Sequence, residues 1–258
     1  MESLSINRMT KSELKDFLDF KAEYYEQPKF VEDDPIQIPH RFSKKEDIEI
    51  SAFLVSTIAW GNRKSIIKSG EKLLKIMGNQ PHDFILNYTE QDFKFVHRTF
   101  NEIDLDFFFR SLKNIYLNHY GLEASFNRVS TSNNIKENIL TFRKCFFEVP
   151  FESRSSKHIS NPESGSASKR LIMFLRWMVR SQKKGVDFGI WKSIPSSSLL
   201  IPLDVHTGNV ALKLGLIQRK QNDWKTNMEL IEKLREFDSK DPAKYDFALF
   251  GLGAYEKF

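Results

Sequence analysis

The sequence predicts an all-α fold, a two-lobed helical bundle running as a single unit over residues 1–258. Three observations carry that prediction. Apolar residues recur at helical spacing in segment after segment, the 23 Phe favour packed helices over a sheet rich in Val and Ile, and neither a series of strands nor an internal repeat occurs. With 40% hydrophobic and 28% charged residues, the chain has the composition of a folded globular protein, and its length allows a sizeable core.

The elements follow in order. In "MTKSELKDFLDFKAEYYEQ", Leu14, Phe17, Leu18 and Phe20 keep a helical rhythm, with Thr10 or Ser12 as the cap. Pro35 and Pro39 make "DPIQIPHRF" an extended connection across the surface. Ser43 and Glu46 stand three apart in a capping-box pattern and predict a helix from about Lys44 to Trp60, stopped by Gly61. A second amphipathic helix runs through Ile66, Ile67, Leu73, Leu74 and Ile76 to Gly78, so the two form a hairpin with "WGNRK" at its tip. "IDLDFFFRSLKNIYLNHYG" and "NIKENILTFRKCFFEV" add core helices. Seven serines make residues 152–168 a flexible loop. "KRLIMFLRWMVR" is the next helix, and "DPAKYDFALFGLG" supplies another, with Asp241 as cap, Pro242 at the first helical position and Gly251 or Gly253 near its stop.

The formal net charge of +5 suits an anionic partner such as nucleic acid. A single cysteine, Cys145, excludes an internal disulfide and any cluster or zinc site built from several thiolates, and fits a reducing cytoplasm. No stretch of signal-peptide character opens "MESLSINRMTKSELK", and no run of about 18 apolar residues indicates a membrane span. The expectation is a cytoplasmic monomer with no membrane partner, no metal and no cofactor.

One short segment concentrates the chemistry. In "IPLDVHTGNVALKLG", Asp204 follows an apolar run and starts a short helix whose buried face is Thr207, Val210, Ala211 and Leu214, closed by Gly215. Most capping aspartates are structural. The cap does not preclude chemistry, however, because backbone N–H groups hold such a carboxylate rigid and ionised. His206, in the first helical turn, reads as exposed.

Upstream, "SKRLIMFLRWMVR" buries Leu171, Ile172, Leu175, Met178 and Val179. Lys169, Arg176 and Arg180 sit at i, i+7 and i+11 on the opposite face, with Arg170 and Trp177 beside them. That stripe is either a solvated basic face or a phosphate-contacting ridge. In the second case Lys169 stands in the first helical turn, where the helix N-terminus and desolvation would favour the neutral, nucleophilic amine.

These segments together resemble the helix-hairpin-helix DNA glycosylases, the superfamily of endonuclease III and the archaeal 8-oxoguanine DNA glycosylases. The order of "KRLIMFLRWMVR", "IPLDVHTGNVALKLGL" and "KYDFALFGLG" is similar to an uncharacterised bacterial family within it, over most of the chain. Leu203-Asp204-Val205-His206-Thr207 lies in register with the superfamily's Val-Asp-Thr-His-Val segment, which carries its essential aspartate. "FLVSTIAWGNRKSIIKSGEKLLKIM" resembles the helix-turn-helix that presses on DNA at the extruded base. The resemblance thereby implies Asn62, Arg63 and Lys64 as DNA contacts, with Arg170, Arg176 and Arg180 joining them from the basic helix. Trp60 and Trp177 become candidates for stacking on the base, and Trp191 and the aromatics of "KYDFALF" are weaker ones.

The chain also departs from that pattern. The superfamily hairpin reads Leu-Pro-Gly-Val-Gly, with the lysine of bifunctional members two residues past the second Gly. Here Pro162-Glu163-Ser164-Gly165 puts Ala167 at that place and Lys169 two residues later. Two residues turn a helix by roughly 200°. Either the hairpin is remodelled, as in the archaeal enzymes, or Lys169 is not a nucleophile.

What the resemblance implies is a base-excision DNA glycosylase, with or without AP-lyase activity. It would flip a damaged base, such as an oxidised purine, out of double-stranded DNA. Asp204 would stabilise positive charge on the sugar while activating Lys169 or water. Two other accounts stay open: a DNA-binding protein of the same fold without catalysis, and a helical protein of unrelated or RNA-associated role.

Overall fold

The computed structural model describes residues 9–127 and 134–258. The helices and strands run α1 (Lys11–Tyr25), α2 (Lys29–Glu32), α3 (Lys45–Thr57), α4 (Arg63–Ile76), α5 (Pro81–Leu86), β1 (Val96–His97), β2 (Phe100–Asn101), α6 (Glu102–Asn118) and α7 (Leu122–Asn127). After them come α8 (Ile135–Phe146), α9 (Lys169–Val179), α10 (Val205–Lys213), α11 (Trp224–Arg235) and α12 (Tyr245–Ala254). The fold is predominantly helical, as the sequence predicts. The only sheet among the described residues is the antiparallel pair β1 and β2, with Val96 opposite Asn101 and His97 opposite Phe100. No helix among them is long and apolar enough to cross a membrane.

Two compact units share the chain. The first joins Met1–Phe30, Pro162–Phe188 and Pro195–Phe258; the second holds Val31–Asn161 with Gly189–Ile194. The second unit is built around α3, buried from Ile48 to Thr57, which packs on α4 and α5. The Phe-rich composition is spent here: Phe53 meets Phe108, Phe142 and Phe146, and Phe126 stacks on Phe142 with centroids 4.2 Å apart. Edge-to-face and stacked pairs of this kind give the core geometric definition beyond area burial.

In the first unit α12 packs against both α1 and α10. Gly251 lies inside α12, against the ring of Tyr25; a Cβ there would fall 2.2 Å from the Tyr25 ring, so the close approach of α1 needs glycine. Gly253 is likewise inside the helix, which ends one residue later.

Several local expectations are corrected. Helix α3 has Lys44 as its cap residue, without a side-chain cap bond, so the Ser43 and Glu46 box does not form, and the helix stops at Thr57. Pro35 and Pro39 each open a 3₁₀ turn, and Ile36 and Ile38 are buried rather than laid over a surface. The missing N–H of proline costs nothing at the first position of a helical turn. Residues 152–168 are not a featureless loop: they contain 3₁₀ turns at Ser153–His158 and Pro162–Ser164 and bury Ser155, His158, Ile159 and Ser168. The unit boundary falls within this segment, after Asn161.

Candidate active site

Asp204 caps α10 as its local sequence dictates. Its Oδ1 accepts the Thr207 N–H at 3.0 Å, and Gly215, at φ +69°, closes the helix with Leu216 N–H returning to the Ala211 carbonyl at 2.9 Å. Thr207, Val210, Ala211 and Leu214 are all buried, the face the sequence predicts. The segment before the cap is fixed by a residue that the sequence reading did not single out. Asn227, wholly buried on α11, donates to the Ile201 carbonyl at 2.7 Å and accepts the Ile201 N–H at 3.3 Å. This two-point clamp sets the direction in which Leu203 delivers Asp204.

Lys169 is the first residue of α9. Ser168 before it adopts a left-handed φ of +50°, a conformation that costs a non-glycine residue about 1 kcal/mol or more. The turn that makes this bend is anchored: Ser166 pairs with Asp223 at the start of α11, and Trp224 N–H donates to the Gly165 carbonyl at 2.9 Å. From this bend Lys169 Nζ donates to Asp204 Oδ2 at 2.8 Å. The lysine side chain is 37% exposed and the aspartate 17%, so the pair lies at the boundary between core and solvent.

The electrostatics around the pair are steep. Burial pushes the Asp204 carboxyl up, but the Lys169 ammonium and the hydrogen bonds from Lys169 and Thr207 outweigh it and hold Asp204 below the usual carboxylate range. Asp246, on α12, is buried close enough to feel both charges. Its burial pushes it up to about 6; Arg176 pulls the other way, and the Asp204 charge adds to the rise.

The predicted basic ridge is not a surface. Arg176 and Arg180 are each 4% exposed and locked into a buried ionic cluster. Arg176 pairs with Asp246 and lies 3.3 Å from Asp187 Oδ1. Arg180 donates to Glu26 and Asp187 at 2.7 Å each and to Asp241 Oδ2 at 2.8 Å. The ring of Phe247 lies 4.4 Å from the Arg176 guanidinium carbon and 5.3 Å from that of Arg180. Both arginines are thus withdrawn from the DNA-contacting set, because four carboxylates from distant segments converge on α9. Asp241 is one of them, so it makes no side-chain cap at Pro242. Trp177 is wholly buried, which removes it as a stacking platform. Arg170 is half-buried, and burial lowers it to about 10.

The remaining predicted residues lie in the second unit. Asn62 is exposed and caps α4, accepting the Ser65 N–H at 3.2 Å; Lys64 is exposed and Arg63 partly so. Trp60 is half-buried, stacked on His158 and edge-on to His97. Beneath it, Asp104 accepts Ser155 Oγ at 2.6 Å and lies 3.2 Å from His158 Nε2, which explains why the serine-rich segment is folded. Trp191 is buried and donates to Glu49 at 2.6 Å; burial pushes that carboxyl up to about 7, against hydrogen bonds from Tyr116 and Trp191.

Of the predicted residues, then, Lys169 and Asp204 are brought into contact, and Asn62, Arg63, Lys64 and Trp60 share one hairpin tip. The features define a predominantly helical protein of two compact units, one of them carrying a lysine–aspartate pair at the starts of two helices. A family model described as a protein of unknown function (DUF2400) matches residues 34–255, and the chain belongs to that family. No curated protein and no solved structure matches it.

Proposed function

We propose that the protein is a DNA glycosylase of base-excision repair whose reacting groups are Lys169 and Asp204. The observation that carries this reading is the 2.8 Å contact between Lys169 Nζ and Asp204 Oδ2, with both residues at the starts of helices and the amine still reachable from solvent.

An ammonium must lose its proton before it can attack carbon. Asp204 is in place to accept that proton and remains an anion until it does, because its carboxyl is held below the usual range. As the bond between sugar and base stretches, positive charge builds on the sugar, and a fixed carboxylate stabilises it. The Lys169 nitrogen then bonds to the anomeric carbon, and the base leaves with the bonding electron pair and takes up a proton. The sugar ring then opens, O4′ leaving C1′ and taking up the remaining amine proton, to give a Schiff base; loss of a C2′ proton from it expels the 3′ phosphate by β-elimination and breaks the strand on the 3′ side. If water attacks in place of Lys169, the same carboxylate serves and only the base is released. The tip formed by Trp60, Asn62, Arg63 and Lys64 fits contact with the phosphate backbone and a stacked base.

The test is a base-release and nicking assay on duplexes bearing 8-oxoguanine, uracil, an alkylated purine or an abasic site, with borohydride added to trap a Schiff base. A trapped adduct that disappears in Lys169→Gln supports the lysine as nucleophile. An adduct that survives that substitution excludes it; no product from any of the four duplexes overturns the glycosylase reading, and duplex affinity then separates a DNA-binding protein without catalysis from a helical protein of unrelated or RNA-associated role.

A further inference from the structure

In the second unit, three side chains of different chemistry, none of them used above, meet at the ends of two helices. His119 is the residue that closes α6, Cys145 lies in the last turn of α8, and Glu148 follows just beyond it. One donor atom from each lies within 4.8 Å of the others. His119 and Cys145 are buried, while the Glu148 side chain is half exposed.

We propose that His119, Cys145 and Glu148 bind one borderline-soft divalent transition ion, zinc by preference, which fastens the C-terminal ends of α6 and α8 to each other. This inference does not rest on the glycosylase reading.

Three observations support it. The donor set comes first: an imidazole nitrogen, a thiolate sulfur and a carboxylate oxygen suit zinc, whereas magnesium and calcium favour oxygen donors throughout. The second is the field. Both α6 and α8 present their C-termini here, and unpaired carbonyls at such ends carry partial negative charge that favours a cation. The third is support from behind. Asn114 Nδ2 donates to Glu148 Oε2 at 3.1 Å, and Asn118 Nδ2 donates to Asn114 Oδ1 at 2.8 Å, the kind of outer contact that orients a ligating carboxylate.

The geometry requires little change. Donors around a tetrahedral zinc stand roughly 3.3–3.8 Å apart. His119 Nε2 and Glu148 Oε2, now 2.6 Å apart, would separate to admit the ion, and the thiol would draw inward as it loses its proton. Glu148 lies on the solvent side, so a water completes the fourth position.

Cys145 is the only cysteine of the chain, which makes the test unambiguous. Full-length, tag-free protein is stripped with a chelator, kept under a phosphine reductant and titrated with cobalt(II). The expected result is a near-ultraviolet charge-transfer band from thiolate to cobalt that saturates at one equivalent and is displaced by zinc. Cys145→Ala should abolish the band. His119→Gln and Glu148→Gln should each weaken binding by at least about 10-fold, and zinc should raise the melting temperature of the wild type but not of Cys145→Ala. Absence of the band in the wild type overturns the site, as does a band undiminished in a His119→Gln and Glu148→Gln double variant. Because a thiolate band has one possible source, its absence from the wild type overturns the site even if a variant fails to fold.

Discussion

Lys169 Nζ and Asp204 Oδ2 lie 2.8 Å apart although 35 positions separate them in sequence, and each stands at the start of a helix. The contact places a carboxylate and an amine where a proton can pass between them. It also divides the duties of Asp204, since Oδ1 serves the helix and Oδ2 serves the lysine.

That division can be measured. Asparagine caps a helix about as well as aspartate, whereas alanine costs about 1 kcal/mol. Asp204→Asn should therefore keep the unfolding free energy near that of the wild type while lowering base release by roughly 10²–10⁴-fold. Asp204→Ala should lose both. Denaturant titration alongside single-turnover kinetics reads the two effects, and full base release by Asp204→Asn would remove the carboxylate from the mechanism.

Asp246 makes stability depend on pH. Burial raises its carboxyl from 3.8 to about 6, so the folded chain keeps the proton longer than the unfolded chain does. The associated stability is complete below about pH 4 and is lost as the pH climbs through about 6, a change of roughly 3 kcal/mol. Glu26, raised by its burial, acts in the same direction. The urea midpoint of the wild type relative to Asp246→Asn should fall from pH 4 to 7; identical slopes in the two proteins would rule Asp246 out as a source.

Arg180 belongs to the core, not to a DNA surface. Arg180→Met should cost roughly 3–5 kcal/mol, because Glu26 and Asp241 would lose the cation they share and Asp187 would keep only Arg176. Equilibrium unfolding checks this. A variant as stable as the wild type would show that the buried cluster is not what holds these carboxylates.

The hairpin tip carries the opposite expectation. Arg63→Ala and Lys64→Ala should each lower the slope of log affinity against log salt for duplex DNA by about 1, and change stability by less than about 0.5 kcal/mol. An unchanged salt slope would take these residues out of the interface.

What the sequence made legible was local. Asp204 as a cap, the buried face of α10 and the closing Gly215 follow from residues within one short segment, and all three stand in the structure. The fate of Arg176 and Arg180 was not legible. A basic stripe looks the same whether it faces water or carboxylates, and the partners here, Glu26, Asp187, Asp241 and Asp246, come from segments that periodicity cannot bring together. The same competition took Asp241 away from its cap. The serine-rich segment was misjudged because composition reports the scarcity of apolar side chains, not the buried Asp104 carboxylate that receives Ser155. The meeting of Lys169 with Asp204 depended on the left-handed bend at Ser168, a backbone state that serine does not advertise.

The way the chain divides bears on its manufacture. Val31–Asn161 can leave the ribosome and begin to pack while the other unit still lacks most of its chain. The first unit, in contrast, must hold α1 in waiting through more than two hundred residues of synthesis, until α12 arrives to receive Tyr25 against Gly251. A chain stalled before α12 would thus emerge with Tyr25 lacking its seat on Gly251 and with α10 lacking the helix that packs on it.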